Sequence, residues 1–308
     1  MRSPVRALFA LLCLSALWTG AAAPAWANVF ALDGQDPRAP TPRTGADRLY
    51  APVGSVTTDA TVPASDDGAR RIRTRGTGFL VSPCYVLTNY HAVFGLAFDG
   101  PDRDRDYSVT FAVGPDPDYQ FRWRIQGKPV RWGAFNRRKE HDWALVKLEG
   151  CVGGQADVGW MELAGESGAD LSGAKVSLAG YPADKTGVAI WVQPSCRIEG
   201  PQPGTAKVLH DCAVHAGASG GPLIGRTEGG QVAVAIQCGE LNAVSDPLGR
   251  YDSRHANTAV TVAEVMQDAE ARRLIEEDRA LFPGPNPAQA PTQPPAEPRL
   301  VADAGDLR

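Results

Sequence analysis

The chain has 308 residues, 43% hydrophobic and 21% charged, which excludes a wholly disordered or membrane-embedded protein. Its 33 Gly and 25 Pro favour many short elements and turns over long helices. Lys and Arg total 31 against 35 Asp and Glu, and a formal net charge of −4 argues against nucleic acid as the main partner.

The beginning of the chain reads as an export signal. Arg2 and Arg6 make a positive start, residues 7–18 are apolar, and Ala25-Trp26-Ala27 is a cleavage pattern. The apolar run is too short to stay as a membrane span. Leu12 precedes Cys13 where a lipid-modified cysteine wants a small residue. Residues 1–27 are therefore expected to be removed, leaving an exported protein, periplasmic or secreted, with no membrane anchor. Export permits disulfides among the remaining Cys84, Cys151, Cys196, Cys212 and Cys238. No C-x-x-C or H-E-x-x-H spacing occurs, so no metal or other cofactor is expected.

Residues 28–69 are rich in Pro, Gly, Asp and Thr without sustained periodicity, and read as an extended leader. Short β patterns follow. Arg71-Ile72-Arg73-Thr74-Arg75 alternates as a strand with a solvated basic face. Residues 78–81 and 85–88 flank Ser82-Pro83 as a hairpin. Residues 102–106 alternate Asp and Arg as a solvated loop. Further strands are predicted over 108–113, 121–125, 143–148, 175–179, 189–192, 207–210, 222–224, 231–237 and 257–262. Turns separate them at roughly the 8–12 residue spacing of barrels and sandwiches. One helix is predicted near 261–281, where Val262, Val265, Met266, Ala269, Leu274, Ile275 and Leu281 approximate a single stripe. Residues 283–308 are a Pro-rich flexible tail. The class is all-β with a C-terminal helix.

Gly217-Ala218-Ser219-Gly220-Gly221-Pro222 is the strongest chemical segment. Glycines beside a serine let backbone crowd a substrate and aim successive N–H groups at one developing oxyanion. A Gly-rich turn between strands is the plain alternative. A serine nucleophile needs a base, and the base needs an orienting carboxylate. His91 lies just past a predicted strand, and Asp142 opens the strand 143–148. Taken singly, a packed histidine and a turn aspartate would explain both.

Together, the order His91, Asp142, Ser219 resembles that of the chymotrypsin-like serine peptidases. Gly76-Thr77-Gly78-Phe79-Leu80-Val81 with Val86-Leu87-Thr88-Asn89-Tyr90-His91 resembles the family's histidine block. His141-Asp142-Trp143-Ala144-Leu145-Val146-Lys147-Leu148 resembles its aspartate block, and Gly217-Ala218-Ser219-Gly220-Gly221-Pro222-Leu223 its serine block. His210-Asp211-Cys212 is similar to the bacterial branch that includes the glutamyl endopeptidases. The resemblance implies two six-stranded antiparallel β-barrels, over 70–160 and 161–262, followed by a helix at 263–282. It implies a peptidase acting on proteins or peptides, with His91 as base and acid, Asp142 orienting it and Ser219 attacking. Gly217 and Ser219 would supply oxyanion N–H donors.

Two positions depart from relatives of known preference. Gln237 stands where glutamyl endopeptidases carry a histidine, and Ala213 where trypsin-like enzymes carry an aspartate six residues before the serine. A pocket of Ala213, Gln237 and Gly239 is thus expected to take uncharged side chains, with His215 structural or solvent-facing. Ala218 precedes Ser219, so no carboxylate there can receive a terminal amine as in trypsin-type activation. The oxyanion loop should then form without an ion pair to the terminus, whatever residue begins the mature chain. Cys196 is expected to pair with Cys212, since closing such a loop stabilises by about 3 kcal/mol. Cys84 with Cys151 follows by elimination, leaving Cys238 as a thiol. Two rival readings are a non-cleaving secreted binding protein on this scaffold and an α/β-hydrolase esterase using Ser219 with Asp246 or Asp252 and His255.

Overall fold

The computed structural model describes residues 28–41, 45–63, 69–95, 107–115, 120–134, 136, 140–164, 171–185, 189–227, 230–243, 248–283 and 286. The expected signal segment, the acidic and basic run at 102–106, Asp246 and nearly all of the Pro-rich tail lie outside the described residues. Among the described residues, no helix is long and apolar enough to cross a membrane.

Six antiparallel strands close the first barrel. They are β2 (Val53–Pro63), β3 (Ala69–Leu80), β4 (Tyr85–Thr88), β5 (Ser108–Pro115), β6 (Phe121–Trp132) and β7 (Ala144–Leu148), in the order β2-β3-β4-β7-β6-β5. The predicted hairpin is β3–β4, with Phe79 opposite Leu87 and Leu80 opposite Val86. β6 alternates exposed Arg122 and Arg124 with partly buried Trp123 and Ile125, the period of a half-solvated strand.

The second barrel contains β8 (Lys175–Gly180), β9 (Trp191–Pro201), β10 (Lys207–His210), β11 (Pro222–Thr227), β12 (Gly230–Glu240) and β13 (Asn257–Thr261). Their order is β9-β10-β13-β12-β11-β8, closed by pairing of β8 with β9. The two-strand pairing of β1 (Ala39–Pro40) with β9 adds an outer strand.

Three apolar clusters hold this arrangement. Val56, Leu80, Val86, Val109, Phe111 and Val146 fill the first barrel. Val176, Leu178, Ile198, Val208, Leu223 and Ala259 fill the second. The third joins them: Phe79, Leu87, Trp143 and Leu145 of the first barrel meet Tyr181, Ile236, Val260 and Val262 of the second. Each large apolar side chain buried there stabilises by about 1.5–3 kcal/mol, so the cleft between the barrels has fixed walls.

The leader differs from its reading as an extended, loosely packed arm. β2 is a barrel strand along its length, and Asn28, Val29 and Phe30 are buried. The Asn28 amide donates to the carbonyls of Asn242 at 2.7 Å and His255 at 2.6 Å, while the Asn28 backbone carbonyl accepts from Val214 N and Asn257 Nδ2 at 2.9 Å each. Residue 28 is therefore a fitted part of the fold. The predicted helix is also two: α2 (Val262–Gln267) and α3 (Ala269–Ala280), after the short α1 (Tyr90–Phe94) of the first barrel. Asp268 separates them because its carboxylate caps Ala271 N and leaves extended backbone at the junction.

Candidate active site

His91 is the second residue of α1, and its neighbours Tyr90, Ala92, Val93 and Phe94 are all buried. The packed turn thus holds the histidine by its flanks while leaving its ring partly exposed. Asp142, wholly buried, meets it from the segment leading into β7. One carboxylate oxygen accepts the His91 backbone N–H at 3.0 Å and the other faces His91 Nδ1 at 2.7 Å. An ionised carboxylate only accepts, so Nδ1 carries the proton and Nε2 keeps a free lone pair. Such a histidine can act as a base.

Ser219 enters from the second barrel. Thr77 N donates to Ser219 O at 2.7 Å, and a Cβ added to Gly76 would lie 2.9 Å from Ser219 O and 3.0 Å from Ala92 Cβ. The serine loop and the histidine helix therefore meet across Gly76. No hydrogen bond joins Ser219 Oγ to His91 among the described residues. Contacts of this kind often tighten only around substrate.

The loop is shaped by its glycines. Gly217 and Gly220 have φ of 91° and 89°, and a Cβ at Gly220 would sit 1.9 Å from Thr77 O. Ala218 N is taken by His215 O and Gly220 N by Gln237 O, whereas no acceptor takes Gly217 N or Ser219 N among the described residues. Two N–H groups thus remain available for an oxyanion.

The matching of residues 76–236, more than half of the chain, to the trypsin-like peptidase domain decides the family. The chain belongs to the trypsin-like peptidase family. A solved "Glu endopeptidase in complex with MPD" shares its fold at a TM-score of 0.50 and 18% identity, covering 82% of this chain and 99% of that one. No curated protein sequence matches this trypsin-like chain. The antiparallel barrels correct the α/β-hydrolase alternative, which needs its serine in a parallel sheet. Asp252 is instead spent on Arg254, at 2.5 Å in an exposed turn.

Gln237 and Gly239 lie on β12, and Ala213 follows β10. Gln237, fully buried, accepts from His210 Nε2 at 2.7 Å and donates to Gly239 O at 3.2 Å. Ala213 is also buried, and its N–H donates to Gln193 Oε1 at 2.6 Å. His215 is partly exposed, 3.6 Å from Asp184. The disulfides are Cys84–Cys151 and Cys196–Cys212, and Cys238 is a buried thiol.

Several supporting residues were not singled out from the sequence. Asn89 Nδ2 donates to Asp142 O at 2.7 Å, fixing the aspartate's backbone from the histidine segment. Thr77 Oγ1 bridges Gly217 O at 2.7 Å and Tyr181 N at 2.9 Å. His141, with φ of 52°, is bound through Nδ1 to Glu264 of α2. Asn89 and Thr77 lie inside the histidine block, but their roles depend on contacts with residues far away in the sequence. Nothing local to Glu264 marks it.

Proposed function

We propose that this trypsin-like peptidase is an exported serine endopeptidase that cleaves protein or peptide substrates through an acyl-enzyme. The Asp142–His91 pair set against the Gly217–Gly221 loop carries this reading. Ser219 Oγ attacks the scissile carbonyl while His91 Nε2 takes its proton. The buried Asp142 carboxylate stabilises the imidazolium and keeps the ring oriented. The carbonyl oxygen becomes an oxyanion and accepts from Gly217 N and Ser219 N. His91 then protonates the departing amine, and the acyl group stays on Ser219. Water, deprotonated by His91, hydrolyses the ester and returns the serine.

Uncharged side chains fit the pocket best. Ala213 offers no carboxylate, and the Gln237 amide is occupied by His210 and Gly239. Export is supported by the signal pattern and by the two disulfides, which an oxidising compartment maintains.

The test uses a sulfonyl fluoride and a peptide library. The reagent should modify Ser219 alone, and Ser219→Ala should keep the fold while cutting turnover by about 10⁴–10⁶. Labelling that survives Ser219→Ala would sink the assignment. A folded wild-type protein that binds peptides but neither cleaves nor labels would favour the binding-protein alternative.

A further inference from the structure

Ala218 denies the serine loop the internal carboxylate that a terminal amine could pair with. A cluster of charged side chains nevertheless lies behind that loop, and Asp36 and Arg38 of the leader belong to it. The Arg38 side chain is only 5% exposed. Its Nε and Nη2 donate to Asp36 at 2.9 and 2.8 Å, and its Nη1 and Nη2 donate to Asp184 at 3.2 and 2.6 Å. Lys185 Nζ reaches Asp36 at 2.8 Å and lies 4.6 Å from the centre of the Trp191 ring. Burial would raise the Asp36 pKa, but hydrogen bonds from Arg38 and Lys185 overcome it and hold the carboxyl well below the usual range.

Asp184 belongs to the turn that supports Gly217. Next to it, Ala183 N donates to Ala216 O at 2.6 Å. A Cβ at Gly217 would lie 2.7 Å from Tyr181 O and 3.2 Å from Ala183 N, so the turn and the serine loop are in close contact. His215, whose carbonyl accepts Ala218 N, also faces Asp184 at 3.6 Å. The chain of contacts therefore runs from Arg38 through Asp184 and residues 181–183 to Gly217.

We propose that Arg38 is a positioning residue for the Gly217 oxyanion donor, acting through Asp184, so that the leader is a working part of the active site. This rests on the serine-peptidase reading. A forked guanidinium holding two carboxylates fixes geometry as well as charge, which a lysine cannot reproduce. Loss of an oxyanion donor outright costs about 10²–10³ in kcat. A donor left in place but unsupported should cost less.

The test compares the wild type with Arg38→Ala, Arg38→Lys and the neutral double variant Arg38→Gln with Asp184→Asn. The double variant removes both charges together, so the Asp184 carboxylate is not left without its cation. In the folded variants, kcat for a peptide anilide should fall about 10- to 100-fold with KM within about twofold, a loss confined to the transition state. Affinity for a peptide aldehyde, whose adduct places an oxyanion at Gly217, should fall in parallel. Arg38→Lys should lie between wild type and Arg38→Ala. Unchanged kcat and aldehyde affinity in any folded variant lacking the Arg38 guanidinium overturn the proposal, as does a loss confined to KM. A wild-type protein that is never labelled at Ser219 overturns the peptidase reading itself, a result recognisable before any variant is made.

Discussion

Gln237 is held at both ends of its amide, and the direction of those bonds fixes a proton elsewhere. Its NH₂ group faces Gly239 O, so its oxygen faces His210, and the neutral His210 ring must carry its proton on Nε2. Burial pushes the His210 pKa down from 6.5 to about 4, with the Gln237 bond opposing the shift. Between those values the unfolded chain holds a proton that the folded one refuses, so stability rises with pH. The contribution is fully present above pH 6.5 and lost as pH falls through about 4, up to about 3 kcal/mol. His210→Gln should remove this slope. Denaturant unfolding of both proteins at several pH values between 4 and 7 measures the difference, and parallel curves would contradict it. The sequence made Gln237 visible as a departure from a pattern. It could not reveal that His210, quoted for a different motif, sits behind it, because β10 and β12 reach each other only through β13.

Elements with a clear run or alternation of apolar residues were legible in the sequence, and those whose positions hold Gly, Pro, Ser or Thr were not. β6 and the β3–β4 hairpin follow their apolar patterns. β2 lacks a strand signature because Gly54, Ser55 and Thr58 occupy buried positions where apolar residues would advertise a strand. Gly54 is there by close packing, since a Cβ would lie 2.4 Å from the Phe111 ring. β9 continues to Pro201 beyond the predicted 189–192, its interior marked by buried Cys196 and Ile198 but disguised by Pro194 and Gly200. For the C-terminal helix, Ala271 and Ile275 give the stripe, while the buried Asp278 breaks the rule that charges stay outside. Its carboxylate accepts Ser82 Oγ at 2.6 Å and Cys84 N at 2.8 Å, binding α3 to the β3–β4 turn. Asp278→Ala leaves both donors without this acceptor, a loss of about 2–4 kcal/mol. Urea unfolding should register that loss while turnover at room temperature stays near wild type, because the clamp touches neither His91 nor the serine loop. A large drop in kcat with unchanged stability would be the contrary result.

At the scale of the molecule, each barrel carries its own disulfide, and among the described residues no disulfide joins one barrel to the other. Cys84–Cys151 spans 67 residues in the first barrel, and Cys196–Cys212 spans 16 in the second. Cross-linking limits the unfolded chain more for longer loops, so these bridges contribute about 4 and about 3 kcal/mol respectively in the chain-entropy model. Because they lie in different barrels, their effects should be nearly additive. A total near 7 kcal/mol is comparable with the whole stability of a typical domain, about 5–15 kcal/mol. Replacing Cys84 and Cys151 by alanine should therefore lower the denaturation midpoint more than replacing Cys196 and Cys212. Removing both bridges should leave little folded protein at 37 °C. Cys238, buried against Thr258, takes no part in either bridge, so Cys238→Ala should leave the response to reductant unchanged. Activity measured against increasing dithiothreitol should fall in wild type and Cys238→Ala alike, and production in a reducing compartment should give mostly inactive chain. Full activity after both bridges are shown to be reduced would separate the fold from its disulfides and remove this argument for an exported site of action.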